Sequence, residues 1–538
     1  MVVSATPQRR TANYKPNIWN YDYLESLTSK YHEEKYEREV GTLKEQVRGM
    51  FCASKDPLHK LELIDLINKL ALSHYFEKEI SESIEGIKST SSSMTIQNDL
   101  YSSALYFRIL RQHGHHVPQD TIVELLDNEE EEEEEEELTM GAGADKARNE
   151  IFEASHLALD GECCLVDRAK AILENVAGSG KCPWHLTVSW FNAKKHMRPA
   201  ENKSALHKLA GLSFNMIQVQ HQKDLKEILR WWRNLGLLEV LTFSRDRVVE
   251  SFLWAVGVAY EPQYGSLRKW LTKVILLVLI IDDVYDIYGS KHELEQFTIA
   301  VERWDPSEIQ HLPEVIKRCF WTLYNTASDI DDQVQKQKGW SSVLPQLKQV
   351  WTGFCKALLV EAKWNDDKGH PPSLLEYLDN GWTSSSGPVL SLHILLAIGE
   401  DMQETMAAFH SNQQLIHHAS LIIRLCNDQG TSQAELERGD APSSIVCHMR
   451  EANVTEKEAR SHIRNLISNS WKKINGVIIR CGHEHQLKTI RYIVNTARVA
   501  TFIYQNGDGF GVQDRETRDQ VLSCLIQPVQ LSPSSPFN

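Results

Sequence analysis

The sequence predicts an all-α protein built as two helical domains, and three observations carry that prediction. Apolar residues recur at helical spacing, as in Leu61, Ile64, Ile67 and Leu70, and again in Leu225, Ile228 and Trp232. Alternation of Val, Ile and Thr in the strand pattern is scarce. Turn punctuation is thin, with 27 Gly and 17 Pro among 538 residues, which favours long helices joined by short loops. A chain of this length exceeds the roughly 250–300 residues at which a single core stops growing, so two domains are expected. A short polar stretch from Pro199 to Leu209 precedes renewed amphipathic helix and places the seam, with residues 1–208 in one domain and 209–538 in the other.

Composition narrows the function. Apolar residues make up 42% and charged residues 24%, as in water-soluble globular proteins. A net charge of −15 excludes a general nucleic-acid binder, which needs a basic face. Ten cysteines without a CxxC pair, two of them the adjacent Cys163 and Cys164, suit neither a disulfide framework nor a zinc site, and imply a reducing compartment. The longest apolar run, Val274 to Ile281, falls far short of the ~20 residues that span a bilayer. Met1 to Gln8 lacks the apolar core of a secretory signal. The nine consecutive glutamates from Glu129 to Glu137 are expected to repel one another into an extended, solvated loop.

The chemistry lies downstream of the seam. Asp282, Asp283 and Asp286 follow the apolar run from Val274 to Ile281, which reads as a helix buried on all sides. Carboxylates at the end of such a helix are costly unless something pairs with them. On a helix Asp282 and Asp286 share a face about 6 Å apart, a spacing that suits two carboxylates bridging hard divalent cations. Hydrated aspartates at a helix end are the simpler reading of this motif taken alone.

A second motif answers the first. Asn427, Thr431 and Glu435 sit at i, i+4 and i+8, presenting an amide oxygen, a hydroxyl and a carboxylate on one helical face. All are oxygen donors, which match magnesium rather than zinc or copper. A diphosphate held by such metals also needs cations that do not titrate, and Arg245, Arg247 and Arg424 are candidates because guanidinium forks onto phosphate oxygens. Each could instead be a surface ion pair, although Arg424 shares the helix of the second motif.

With both motifs and the Arg245/Arg247 pair in this order, the chain resembles the plant terpene synthases over nearly its whole length. The flanks Phe252–Ala255, Glu261–Tyr264, Val301–Asp305 and Arg438–Asp440 are also similar to that family. Arg9 and Arg10, followed by Trp19, resemble the tandem-arginine signature of the monoterpene branch. The resemblance implies a C-terminal class I terpenoid-synthase helical bundle and an N-terminal, catalytically vestigial α-barrel-like domain. It implies magnesium, three ions, with manganese as an alternative, held by Asp282, Asp286, Asn427, Thr431 and Glu435, with Asp283 behind them. Arg245, Arg247 and Arg424 would take the departing diphosphate of a prenyl substrate, and Arg9 and Arg10 would close over the pocket mouth. Trp254 would face the carbocation, unless it is an ordinary core residue. Tyr504, Asp508 and Phe510 would belong to a C-terminal loop over the pocket, where Gly507 and Gly509 allow mobility. Ser384 to Pro388 would break the helix after Trp382 and turn carbonyls toward the cation. The Glu129–Glu137 run and the short stretch from Gly178 to Ala200 depart from the family pattern.

These features predict a lyase that ionises geranyl diphosphate to a monoterpene, acting as a monomer without membrane insertion. Plastid stroma is the expected location, with a transit peptide trimmed ahead of Arg9. The alternative is a cytosolic sesquiterpene synthase using farnesyl diphosphate. A chain-elongating prenyl diphosphate synthase would carry two DDxxD motifs, and the second motif here differs. A helical scaffold with dead motifs would not keep every ligand residue.

Overall fold

The computed structural model describes residues 12, 14–89, 99–133, 142–173, 182–197, 204–366, 371–439, 441–481 and 484–531. Among them the regular elements are all helical, as the apolar periodicity predicts. The chain divides into two compact units, each assembled from separated stretches. One gathers residues 28–220, 468–491 and 523–538, and the other gathers 1–27, 221–467 and 492–522.

The first unit is organised around helix α1 (Leu100–Gln112), which is buried along nearly its whole length. That burial takes two arginines with it. Arg108 is paired with Asp65 at 2.7 Å and with Glu150 of α2 (Ala142–Ser155), while Arg111 pairs with Glu162 at 2.6 Å. Arg111 also donates to the carbonyls of Val117 and Leu157, each at 2.9 Å. These guanidiniums are spent on internal contacts, as buried charge requires. The helix over Asp120–Glu133 carries the first five residues of the glutamate run, so its backbone there is helical rather than an extended loop. The remainder of the run, residues 178–181 and 198–200, and Arg9 and Arg10 lie outside the described residues.

The second unit carries both acidic motifs. Helix α3 (Val248–Val258) packs along α4 (Gly265–Asp283), and α4 in turn packs on α7 (Gly387–Ile398). Helix α5 (Leu344–Asp366) adjoins α6 (Leu374–Ser384), and both α6 and α7 lie against α8 (Gln413–Arg438). Branched aliphatics fill α4 from Val274 to Ile281, residues with a taste for strands whose burial here overrides propensity. The break at the serines is present: α6 ends at Ser384, Ser386 has a left-handed φ of 65°, and Pro388 sits in the first turn of α7. Proline belongs there because its missing N–H is one that a helix start leaves unpaired anyway.

Candidate active site

Residues from α3, α4, α6, α7, α8 and the chain beyond α9 (Glu484–Ile503) line a cavity. Its apolar wall includes Ile275, Val278 and Leu279, and its polar end includes Asp282. These four stand at i, i+3, i+4 and i+7, so one stripe of α4 faces a cavity and the helix is not packed on all sides as its composition suggested.

At Asp283 the α-helix gives way to a π-helical turn, Val284–Tyr288, which carries Asp286. Single π turns are rare and recur at functional sites. Carboxylates at a helix C-terminus oppose the helix dipole, so this end needs cations. Arg245 supplies one: its guanidinium lies 3.0 Å from Asp282 Oδ2 and 2.9 Å from Asp283 Oδ1. Asp283 is sealed from solvent and accepts further bonds from Tyr14 Oη at 3.1 Å and Ser244 Oγ at 2.7 Å. Burial works against the Arg245 charge, but Asp283, Tyr14 and Asp282 outweigh it and hold the guanidinium firmly protonated. Burial pushes Asp282 up, against the pull of Arg245.

Across the cavity, α8 presents Arg424 and Asn427. Arg424 donates to Ser384 Oγ at 2.9 Å and lies 3.7 Å from Glu361 of α5. Its Nε is buried with no hydrogen-bond partner among the described residues. Thr431 donates its hydroxyl to the Asn427 carbonyl at 2.9 Å. Glu435 is pushed up to about 7 by burial and the nearby Asp428, with Thr431 hydrogen bonding in opposition. Asp428 points away, accepting from Tyr377 Oη and the Ser444 N–H at 2.9 Å each.

The segment after α9 adds Tyr504, Asp508 and Phe510 to the lining. Trp254 meets Tyr504 and Phe510 edge-on, with ring centroids 6.4 and 6.0 Å apart. Asp508 caps its own turn, accepting from the Gly511 N–H at 2.7 Å. Gly507 has a φ of 124°, which its lack of a side chain permits. Gly430 of α8 touches this loop so closely that a Cβ there would lie 2.7 Å from the Gly507 carbonyl oxygen.

The cavity therefore brings together Arg245, Trp254, Asp282, Arg424, Asn427, Tyr504 and Asp508, with Ser384 to Ser386 and Phe510. Asp286, Thr431 and Glu435 stand on the same two acidic elements without lining it. Arg247 is also outside the lining, and its guanidinium donates to the carbonyls of Lys15 and Gly511. Tyr14, Ser244 and Glu361 were not expected from sequence; they are ordinary polar residues whose partners are distant in the chain. The donors fit a hard divalent cation and its anionic substrate, since the acidic motifs offer only oxygen and Arg424 keeps an unused cationic N–H.

Comparison with known proteins agrees with this chemistry. The model of the terpene synthase family metal binding domain matches residues 233–473, and that of the terpene synthase N-terminal domain matches 18–176. Alpha-farnesene synthase of Ricinus communis is 46% identical over 97% of this chain and 96% of its own. (E,E)-alpha-farnesene synthase of Malus domestica is 46% identical over 97% and 94%. The chloroplastic alpha-thujene synthase of Litsea cubeba is 40% identical over 97% and 92%. Isoprene synthase of grey poplar, solved with three Mg2+ ions and dimethylallyl-S-thiolodiphosphate, superposes with a TM-score of 0.83 at 35% identity, covering 96% of this chain and 99% of that one.

The farnesene synthases overturn the geranyl diphosphate expectation, because they match this chain better, end to end, than the thujene synthase does. The monoterpene branch that the tandem-arginine signature suggested is not supported by these relatives. No helix among the described residues is long and apolar enough to cross a membrane. With two domain models in tandem and full-length relatives at this identity, the chain belongs to the plant terpene synthase family, lyases that convert prenyl diphosphates with the help of a divalent metal.

Proposed function

We propose that the protein is a sesquiterpene synthase that ionises farnesyl diphosphate and releases an acyclic olefin of the farnesene type. The observation that carries this reading is the 46% identity, across 97% of the chain, to alpha-farnesene synthase. The two terpineol- and thujene-type relatives stand lower, at 39% and 40%. The proposal places the chemistry in residues 209–538 and gives the enzyme a cytosolic location and a monomeric state.

In this reading Asp282 and Asp286 on one side, and Asn427, Thr431 and Glu435 on the other, hold three magnesium ions, which neutralise the diphosphate and make it a leaving group. Arg245 and Arg424 orient the diphosphate and stabilise its charge as it departs. Ile275, Val278, Leu279, Leu390 and Ile423 shape the hydrocarbon chain, and Trp254 offers a π face to the cation. Tyr504 and Asp508 close the mouth against water.

Incubation with farnesyl diphosphate and magnesium, followed by gas chromatography–mass spectrometry, tests the proposal. Farnesene isomers are expected, and their formation should stop on chelation. A cyclic sesquiterpene as the main product would refute the acyclic assignment.

A further inference from the structure

Three segments distant in sequence converge on one face of α3. Arg247 stands at its N-cap, Glu250 lies in its first turn, and Trp254 follows four residues later on the Glu250 side. Trp254 reaches down into the cavity wall, while the two charged residues above it each hold both the N-terminal strap and the C-terminal loop. Arg247 donates to Lys15 O at 3.3 Å in the strap and to Gly511 O at 2.9 Å in the loop. Glu250, fully buried, accepts at one oxygen from Trp19 Nε1 of the strap and from Gln513 Nε2 of the loop, both at 2.7 Å. Gln513 then completes the joint: its Oε1 accepts from the Ile18 N–H at 3.0 Å, and its Nε2 lies 3.2 Å from Asn17 Oδ1.

A surface role explains this poorly. Ile18 and Val512 beside the joint are 48% and 43% exposed, so these two side chains add little apolar burial at the joint itself. Directed hydrogen bonds to the buried Glu250 carboxyl hold it instead. Just after the strap, Tyr21 Oη donates to Asp246 Oδ1 at 2.6 Å, on the residue that precedes the Arg247 N-cap.

We propose that Glu250 and Gln513 are positioning residues that latch the strap to the C-terminal loop, so that both cover the cavity as one lid. Neither touches substrate. Their effect is on the fate of the cation after the diphosphate leaves. Loss of a proton from carbon gives the olefin, whereas attack by water, with loss of a proton from the new C–O–H2 group, gives an alcohol. A latched lid keeps water out and favours the first route. The inference rests on terpene synthase chemistry and not on the choice between farnesyl and geranyl diphosphate.

The test compares Gln513→Leu, Trp19→Phe and their double variant in the full-length enzyme with magnesium, using whichever prenyl diphosphate turns over faster. The readouts are the alcohol-to-olefin ratio and the melting temperature. Each single change removes bonds worth about 1 kcal/mol, so the ratio should rise roughly fivefold in each. The melting temperature should stay near that of the parent. Because both bonds end on Glu250, the double variant should add little beyond the larger single effect. Trp19→Phe keeps the ring and its packing, so it remains informative if Gln513→Leu folds poorly. An unchanged ratio in folded Trp19→Phe, or fully independent effects in the double variant, would overturn the latch.

Discussion

Arg245 and Asp283 form the tightest charged contact at the polar end of the cavity. Beyond the 2.9 Å ion pair, the Arg245 backbone N–H donates to Asp283 Oδ2 at 3.1 Å, so the carboxylate holds both ends of the residue. The adjacent Asp282 shares the same guanidinium yet faces the cavity. In the proposed reading the two neighbouring aspartates have separable tasks, one fixing the arginine and one offered to a metal.

That separation predicts different failures. Asp282→Ala should fold normally and lose at least ~100-fold in turnover, the scale of losing an electrostatic contact to the transition state. Asp283→Asn should lower stability by about 3 kcal/mol as well, since a buried guanidinium loses its principal counter-charge. Thermal melts beside steady-state rates distinguish the two, and equal melting temperatures would refute the division.

Gly430→Ala tests the closeness of α8 to the loop after α9. Alanine improves helix propensity by up to about 1 kcal/mol, so the protein should not be destabilised through the helix. Its methyl group would meet the Gly507 carbonyl and displace the loop carrying Tyr504 and Asp508. Turnover should fall roughly tenfold or more, as small misplacements near a reacting centre do. A parent-like rate would show that the loop yields freely.

The other unit offers a pH test away from the chemistry. Burial raises the Glu153 carboxyl to about 7, although it accepts the Trp184 N–H at 2.7 Å. A folded-state pKa above the unfolded one means that folding binds a proton. The associated stability is therefore complete below about pH 4.5 and is lost as pH rises through 7. Glu153→Gln should remove that dependence, with the variant melting higher than the parent at pH 8 by an amount on the order of 1–3 kcal/mol and no higher at pH 4.5. Parallel melting curves across this range would contradict the assignment.

Much of this was legible where function is local in sequence. The run from Val274 to Ile281 and the aspartates behind it are one helix and its end, and Asn427, Thr431 and Glu435 are one helical face. The serine–glycine–proline cluster after Trp382 marked a real helix break. The π turn at Val284–Tyr288 was not readable, since no glycine or proline announces it. Nor were Tyr14, Glu250 and Gln513, because their value lies in partners across the chain: Glu250 stands 231 residues from Trp19 and 263 from Gln513. Substrate length was misjudged from Arg9 and Arg10 because a two-residue signature near the start of the chain does not set the size of a cavity. Side chains from several helices do, and their convergence is a property of the fold.

The most direct test of the central claim is kcat/KM for farnesyl against geranyl diphosphate, measured on the same preparation at one magnesium concentration. The account predicts a preference for the fifteen-carbon substrate of roughly tenfold or more, since additional buried methylenes each contribute about 0.8 kcal/mol when the cavity fits them. Equal values, or a preference for geranyl diphosphate, would contradict it.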